Sequence, residues 1–299
     1  MKHICILFAL VLIALPLTAQ ANQQGPGIVA FLTDWGYADY FAGACKGVML
    51  AINPGLNVVD ICHGITPFAI DEGAYQLLYA ARYFPGGTVF LAVVDPGVGT
   101  ERRPIAVRCR NGSIFVAPDN GLLTLVYQDM GIAAAHALTN TRLFRGRDVS
   151  TDFHGRDIFA PVAAHLASGA KLADVGPAIE PAGLVRLAFK QPEVAGGVVT
   201  GSIIFINHYG NIICNIGKSE LSQLQLAQGD SVEIHIAGSR HTMLLGGTYG
   251  DVPEGDLVCF ANCNDNLEIA VNLGNAGKRL AAKVKGAVVV KRAPAPMPQ

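Results

Sequence analysis

Four apolar runs in the first half of the chain end in an aspartate: Phe31-Leu32-Thr33-Asp34, Asn57-Val58-Val59-Asp60, Ala92-Val93-Val94-Asp95 and Val116-Ala117-Pro118-Asp119. In an open α/β sheet, ligands bind beyond the carboxyl ends of the strands. Carboxylates at successive strand ends therefore converge on one crevice, where a carboxylate serves as acceptor or base. Taken singly, each aspartate reads as well as a helix cap or turn former; four together favour a site. After Asp95 comes Pro96-Gly97-Val98-Gly99-Thr100-Glu101-Arg102-Arg103, a tight turn that a ligand can approach without meeting Cβ atoms. It lacks the ending of a P-loop and the spacing of a dinucleotide fingerprint. Arg102 and Arg103 read either as solvated charges or as site residues. Phe153-His154-Gly155-Arg156-Asp157 precedes an apolar helical stretch, so His154 reads as a cap or as a catalytic group.

These side chains need elements to hold them. Residues 27–32 read as a strand, and Phe41, Cys45, Val48, Met49 and Ile52 then repeat at helical spacing. Strands are predicted at 57–61, 88–94 and 113–117, and helices at 69–84 and 157–168. The alternation predicts an α/β domain with a largely parallel central sheet over residues 26–190. From residue 193 the pattern changes to short strand-like runs at 198–206, 231–236, 242–245, 257–261, 267–271 and 282–290. That spacing predicts a small all-β, barrel-like domain over 193–291, with residues 292–299 as a disordered tail.

Of the 299 residues, 51% are hydrophobic and 15% charged, with a formal net charge of −1. No basic run exceeds two residues, which argues against nucleic acid or an anionic membrane as partner; a small polar or zwitterionic ligand fits better. Lys2 and His3, the apolar stretch 4–17 and Ala19-Gln20-Ala21 read as a secretory signal over 1–21. The stretch is short of the roughly 20 residues of a spanning helix, so the mature chain is expected to be periplasmic or secreted, with no membrane segment. Seven cysteines become six without Cys5. A chain this long builds a core without staples, so free thiols are the default.

The segments FLTDWGYADYFAGACKGVM, VVDICHGITPF, FLAVVDPGVGTERRPI, APDNGLLT, FHGRDIFAPVAAHLA and NHYGNIICNI resemble, in order and spacing, the S-adenosylmethionine (SAM) hydroxide adenosyltransferase family, relatives of fluorinating and chlorinating enzymes. The resemblance implies hydrolysis of SAM to adenosine and methionine, with Asp95, Arg102 and His154 activating water. It implies that Asp34 grips the ribose hydroxyls, that Phe68 lies beside the ligand, and that Asn207 and Asn211 hold the methionine end. Tyr249 would stack on adenine, and Asn275 and Ala276 would border its edge. Asn207 stands where the family has Asp, replacing a charge with a neutral acceptor, which costs about 1–2 kcal/mol at a buried site. The resemblance further implies a homotrimer with the active site at the subunit interface, and neither metal nor cofactor. Two other readings are a non-catalytic SAM or nucleoside-binding protein, which has no need for Asp95, Arg102 and His154 together, and a halide transferase. A metal hydrolase built from Asp60, His63, Asp152 and His154 lacks ligand spacing.

Overall fold

The computed structural model describes residues 27–294; the predicted leader and residues 295–299 lie outside them. The first unit contains β1 (Ile28–Thr33), α1 (Phe41–Ile52), β2 (Asn57–Cys62), α2 (Ile70–Ala81), β3 (Val89–Val93), β4 (Pro104–Cys109), β5 (Ile114–Pro118), α3 (Thr124–Met130), β6 (Ile132–Ala137) and α4 (Ala160–Ala167). The strands form one sheet in the order β2-β1-β3-β5-β4-β6. Both faces of its centre are covered, which is why the sequence shows continuous apolar runs rather than alternation. Val29, Phe31, Leu91 and Val93 pack with Cys45 and Met49 of α1 and Val162 and Ala163 of α4. Ala30, Leu32, Phe90 and Ala92 face the other way, onto Leu77 and Ala81 of α2 and Val126 of α3.

The sheet is mixed rather than purely parallel. β2, β1, β3 and β5 run parallel, but β4 is antiparallel to both β5 and β6. β4 and β6 are not among the strands predicted from sequence, and they carry the reversal. From β1 the chain crosses to β2 on one side and next to β3 on the other. The strand order therefore turns back between β1 and β3, and a crevice opens beyond their carboxyl ends.

The second unit contains β7 (Glu193–Ala195), β8 (Val198–Ile206), β9 (Ile212–Gly217), α5 (Lys218–Gln223), β10 (Ser231–Ile236), β11 (Ser239–Leu245), β12 (Leu257–Ala261), β13 (Asn266–Val271), α6 (Ala276–Arg279) and β14 (Ala287–Arg292). The order runs β14-β10-β11-β12-β13-β9-β8-β7, and β14 also pairs with β8, so seven strands close into a barrel. Arg292, placed in the tail from sequence, is the last residue of β14. Val232, Ile234 and Ile236 point into the barrel while Glu233 and His235 alternate outward. Cys214 and Cys259 are buried inside it, and the Cys259 thiol is pushed up to about 12 by burial. All six cysteines of the described residues are free.

The two units touch through specific contacts. Tyr79 Oη donates to Asn266 Oδ1 at 2.6 Å, and Lys285 Nζ lies 3.0 Å from Asp71. Among the described residues, no helix is long and apolar enough to cross a membrane.

Candidate active site

Of the four strand-end aspartates, the structure brings two to the crevice. Asp34 follows β1 and Asp95 follows β3, one on each side of the turning point. Burial raises the Asp34 pKa, the Phe68 amide (2.8 Å from Oδ2) opposes that, and the charge of Asp95 adds to the rise. The two carboxylates therefore feel each other. Asp60 and Asp119 instead do structural work. Asp60 binds Lys46 Nζ at 2.6 Å and His63 Nε2 at 3.1 Å. Asp119 pairs with Arg103 at 2.6 Å and accepts the Val185 amide at 2.9 Å. Arg103 is thus an anchor, leaving Arg102 for the site.

Arg102 joins two loops. Its Nε and Nη2 donate to the two oxygens of Asp95 at 2.9 and 2.5 Å, a side-on fork. Nη2 also lies 2.9 Å from His154 Nδ1. Its Nη1, stacked with the guanidinium over the Phe159 ring, is buried without a partner, the one such side-chain atom among the described residues. The side chains of Arg102 and Asp95 are 9% and 5% exposed, so the pair is held largely out of water.

The loops approach closely because Gly99 permits it. Its φ is +77°, and a Cβ there would lie 2.5 Å from the Thr151 carbonyl oxygen. Gly99→Ala is therefore expected to cost about 1–3 kcal/mol through strain and overpacking. By prising Arg102 from His154, it should lower kcat more than it raises KM, as thermal melts and steady-state kinetics will read.

His154 makes no side-chain cap at the turn it precedes. A guanidinium only donates, so Nδ1 must accept and the ring proton sits on Nε2. Burial, and secondly the Arg102 charge, push its pKa below the ordinary imidazole value. The neutral ring accordingly persists through neutral pH. Acid would protonate Nδ1 and break its bond to Arg102, so kcat/KM should stay level across neutrality and fall only below pH about 6.5. His154→Asn should lose that limb of the profile. A fall already complete at neutral pH would contradict the neutral ring.

The loop carrying His154 is anchored by Asp157, which is buried and binds Arg156 Nε at 2.7 Å and the Ser150 amide at 3.0 Å. Gly155 begins a π-turn, a geometry frequent at functional sites. A Cβ on Gly155 would meet the Trp35 ring at 2.5 Å, so the indole lies directly on the loop. Trp35, Tyr40, Phe41, Val93, Asp95, Phe153 and His154 line a cavity of about 450 Å³.

The predicted second-domain residues meet elsewhere. Tyr209, Asn211, Tyr249 and Asn275 line a separate cavity of about 730 Å³ in the barrel. Asn211 Nδ2 donates to Tyr249 Oη at 3.3 Å and to Glu268 Oε1 at 2.9 Å. Ala276 is buried behind Asn275 and packs into the barrel core. Asn207 Oδ1 accepts the Tyr209 and Asn211 amides, both at 3.0 Å, and so shapes the turn. Phe68 is 70% exposed with φ +68°; its amide fixes Asp34, and its ring borders a different cavity beside Asp71 and Lys285.

Three residues of the two sites escaped the sequence reading: Trp35, Phe159 and Glu268. Trp35 follows Asp34 directly, which was the available signal. Glu268 is the one charged residue of its barrel strand, flanked by Leu267 and Ile269, and is itself buried. Of the proposed metal set, Asp60 and His63 bind each other while His154 binds Arg102. Among the described residues, no group of three or more His, Cys, Asp or Glu is placed to hold a metal ion.

Residues 29–176 match the family model for the SAM hydroxide adenosyltransferase N-terminal domain, and 201–289 that for its C-terminal domain. An (R)-S-adenosyl-L-methionine hydrolase from Salinispora tropica is 42% identical over 259 residues, 84% of this chain and 93% of the relative. A fluorinase from Actinoplanes sp. is 33% identical, spanning 83% of this chain and 92% of the relative. A crystal structure of an uncharacterised conserved protein from Thermotoga maritima superposes with a TM-score of 0.85 at 37% identity, covering 88% of this chain and all of that one.

Proposed function

The chain belongs to the SAM hydroxide adenosyltransferase family, and on that premise we propose that it hydrolyses SAM to adenosine and methionine. The observation that carries this is the junction in which Arg102 bonds both Asp95 and His154, the two of them lining one cavity. The ribose 5′ carbon of SAM bears a sulfonium, so methionine departs as a neutral thioether. A water oxygen bonds to that carbon from the side opposite sulfur, and the C–S electron pair returns to sulfur. Asp95 takes the proton released, and Arg102, bonded to both carboxylate oxygens and to His154, orients the two groups that meet the water. His154 presents Nε2–H to orient the same water. The leaving group already carries the positive charge, so no metal or cofactor is proposed.

A halide nucleophile is disfavoured here by charge. The Asp95 carboxylate, 5% exposed, would face the incoming anion at short range in a partly desolvated cavity. Water meets no such penalty.

In this reading the catalytic work falls to residues 26–190 and base recognition to the barrel of residues 193–291. Asp34 takes the ribose hydroxyls, and Phe68, whose amide holds Asp34, lies near the ligand. Tyr249 and Asn275 border the base, with Ala276 behind, and Asn211, bonded to Tyr249, moves from the methionine end to the base. The methionine end falls to the Asn207 turn. The two cavities complement each other across a homotrimer interface. Exposed apolar side chains at their rims support this: Tyr40 at the catalytic cavity, and Tyr209 and Leu273 at the barrel cavity, with Leu273 83% exposed. The leader of residues 1–21 assigns the mature chain to the periplasm or exterior.

Incubation of purified protein with SAM in chloride buffer tests the reaction. Adenosine and methionine should appear in equal amounts from a species of trimer mass. A 5′-chloro nucleoside would favour halide transfer, and intact SAM would favour a binding protein.

A further inference from the structure

Glu268 is a buried carboxylate with three neutral donors around it and no cation. Oε1 accepts Tyr249 Oη at 2.7 Å and Asn211 Nδ2 at 2.9 Å, while Oε2 accepts Asn262 Nδ2 at 3.1 Å. A carboxylate only accepts, so it decides the orientation of the amide beside it. Both hydrogens of Asn211 Nδ2 are taken, one by Glu268 and one by Tyr249 Oη. Its Oδ1 is left as the open end, and Asn211 lines the barrel cavity. Burial, and secondly the bond to Glu268, push the Tyr249 hydroxyl up to about 12, so it stays a donor.

Asn275 carries the opposite polarity. Its Oδ1 accepts the Lys278 amide at 2.7 Å, which leaves its Nδ2 hydrogens free. Its amide lies across Gly210, where a Cβ would come within 2.1 Å of Asn275 Cγ and Nδ2. Asn211, Asn275 and Tyr249 line the same cavity, so it holds an open acceptor and an open donor beside an aromatic ring.

We infer that Glu268 is a specificity-setting positioning residue: by pinning the Asn211 amide, it makes the cavity select a base edge that pairs a 6-amino donor with a ring-nitrogen acceptor. A 6-oxo purine would set oxygen against Asn211 Oδ1. This rests on the reading of the barrel cavity as the base subsite of a SAM-cleaving enzyme, and deepens it.

Glu268→Gln is the informative change. Asn262 is fixed, because its Oδ1 accepts the Asn264 and Asn266 amides at 3.0 and 3.1 Å. The new glutamine therefore turns its oxygen toward Asn262 and its nitrogen toward Asn211, which can then flip.

Calorimetry with adenosine and inosine reads the outcome without requiring turnover. The wild type should prefer adenosine by about tenfold or more, the worth of one mismatched hydrogen bond. Glu268→Gln should narrow the preference to within about threefold, and its loss in SAM cleavage should fall on KM rather than kcat. Tyr249→Phe keeps the Glu268–Asn211 bond, so it should weaken both nucleosides yet retain the preference.

A wild type without preference, a Glu268→Gln variant with the full one, or its loss in Tyr249→Phe would each overturn the inference. Should Glu268→Gln fail to fold, Glu268→Ala, which also frees the Asn211 amide to flip, should narrow the preference likewise, and a full preference in it would overturn the inference. If SAM stays intact while the nucleoside ratios behave as described, the hydrolase reading fails alone. If SAM is cleaved while Glu268→Gln keeps full selectivity, the inference fails alone.

Discussion

Asp95→Ala is expected to lower kcat for SAM cleavage by about 10²–10⁴-fold, the range for a positioned general base. Binding should hardly change, because Asp34, Asn211, Tyr249 and Asn275 remain. Calorimetry should give a SAM Kd within about threefold of wild type, an energy difference under about 0.7 kcal/mol. Circular dichroism must accompany the kinetics, since the change leaves Arg102 buried with one partner, His154. A folded variant that loses binding and turnover together would place Asp95 in substrate recognition rather than in proton removal.

Arg102→Met carries the second large effect, and it acts on stability as well as rate. Asp95 would keep a carboxylate 5% exposed with no cation beside it. Breaking a buried pair from one side costs about 3–5 kcal/mol; the lower end applies because Asp95 borders an open cavity. Turnover should fall by about 10²-fold, since Asp95 loses the group that orients it. His154 would also lose its contact. Combining Asp95→Ala with Arg102→Met separates the two effects. Stability should recover relative to the sum of the single costs, because no charge is left unpaired. Activity should stay as low as in the worse single variant, as for residues acting as a unit. Additive losses in both stability and rate would mean that the pair is not coupled.

What could be read from the sequence follows from burial. β1 and β3 are covered on both faces, so they appear as unbroken apolar runs, and their terminal aspartates point to the crevice. β4 was hidden because it starts at Pro104, directly after the charged run around Arg102 and Arg103. β6 was hidden because it is mostly alanine, a residue with little strand preference. Missing them hid the reversal of the sheet. Asp60 and Asp119 obeyed the same strand-end rule as Asp34 and Asp95, yet Lys46 and Arg103 claim them; no sequence spacing announces those partners. Glu268 was passed over because alternation along a strand predicts that a lone carboxylate faces water, whereas β13 is buried almost throughout. His154 and Arg102 stand 52 positions apart, and their meeting depends on Gly99, whose role as a contact between loops only the fold reveals.

The most direct measurement is turnover of SAM in oxygen-18 water, with both products analysed by mass spectrometry. Activation of water by Asp95, Arg102 and His154 for attack at the ribose 5′ carbon requires one heavy oxygen in the 5′-hydroxyl of adenosine and none in methionine. Adenosine that forms without the label, or label found on the amino-acid product, would contradict it.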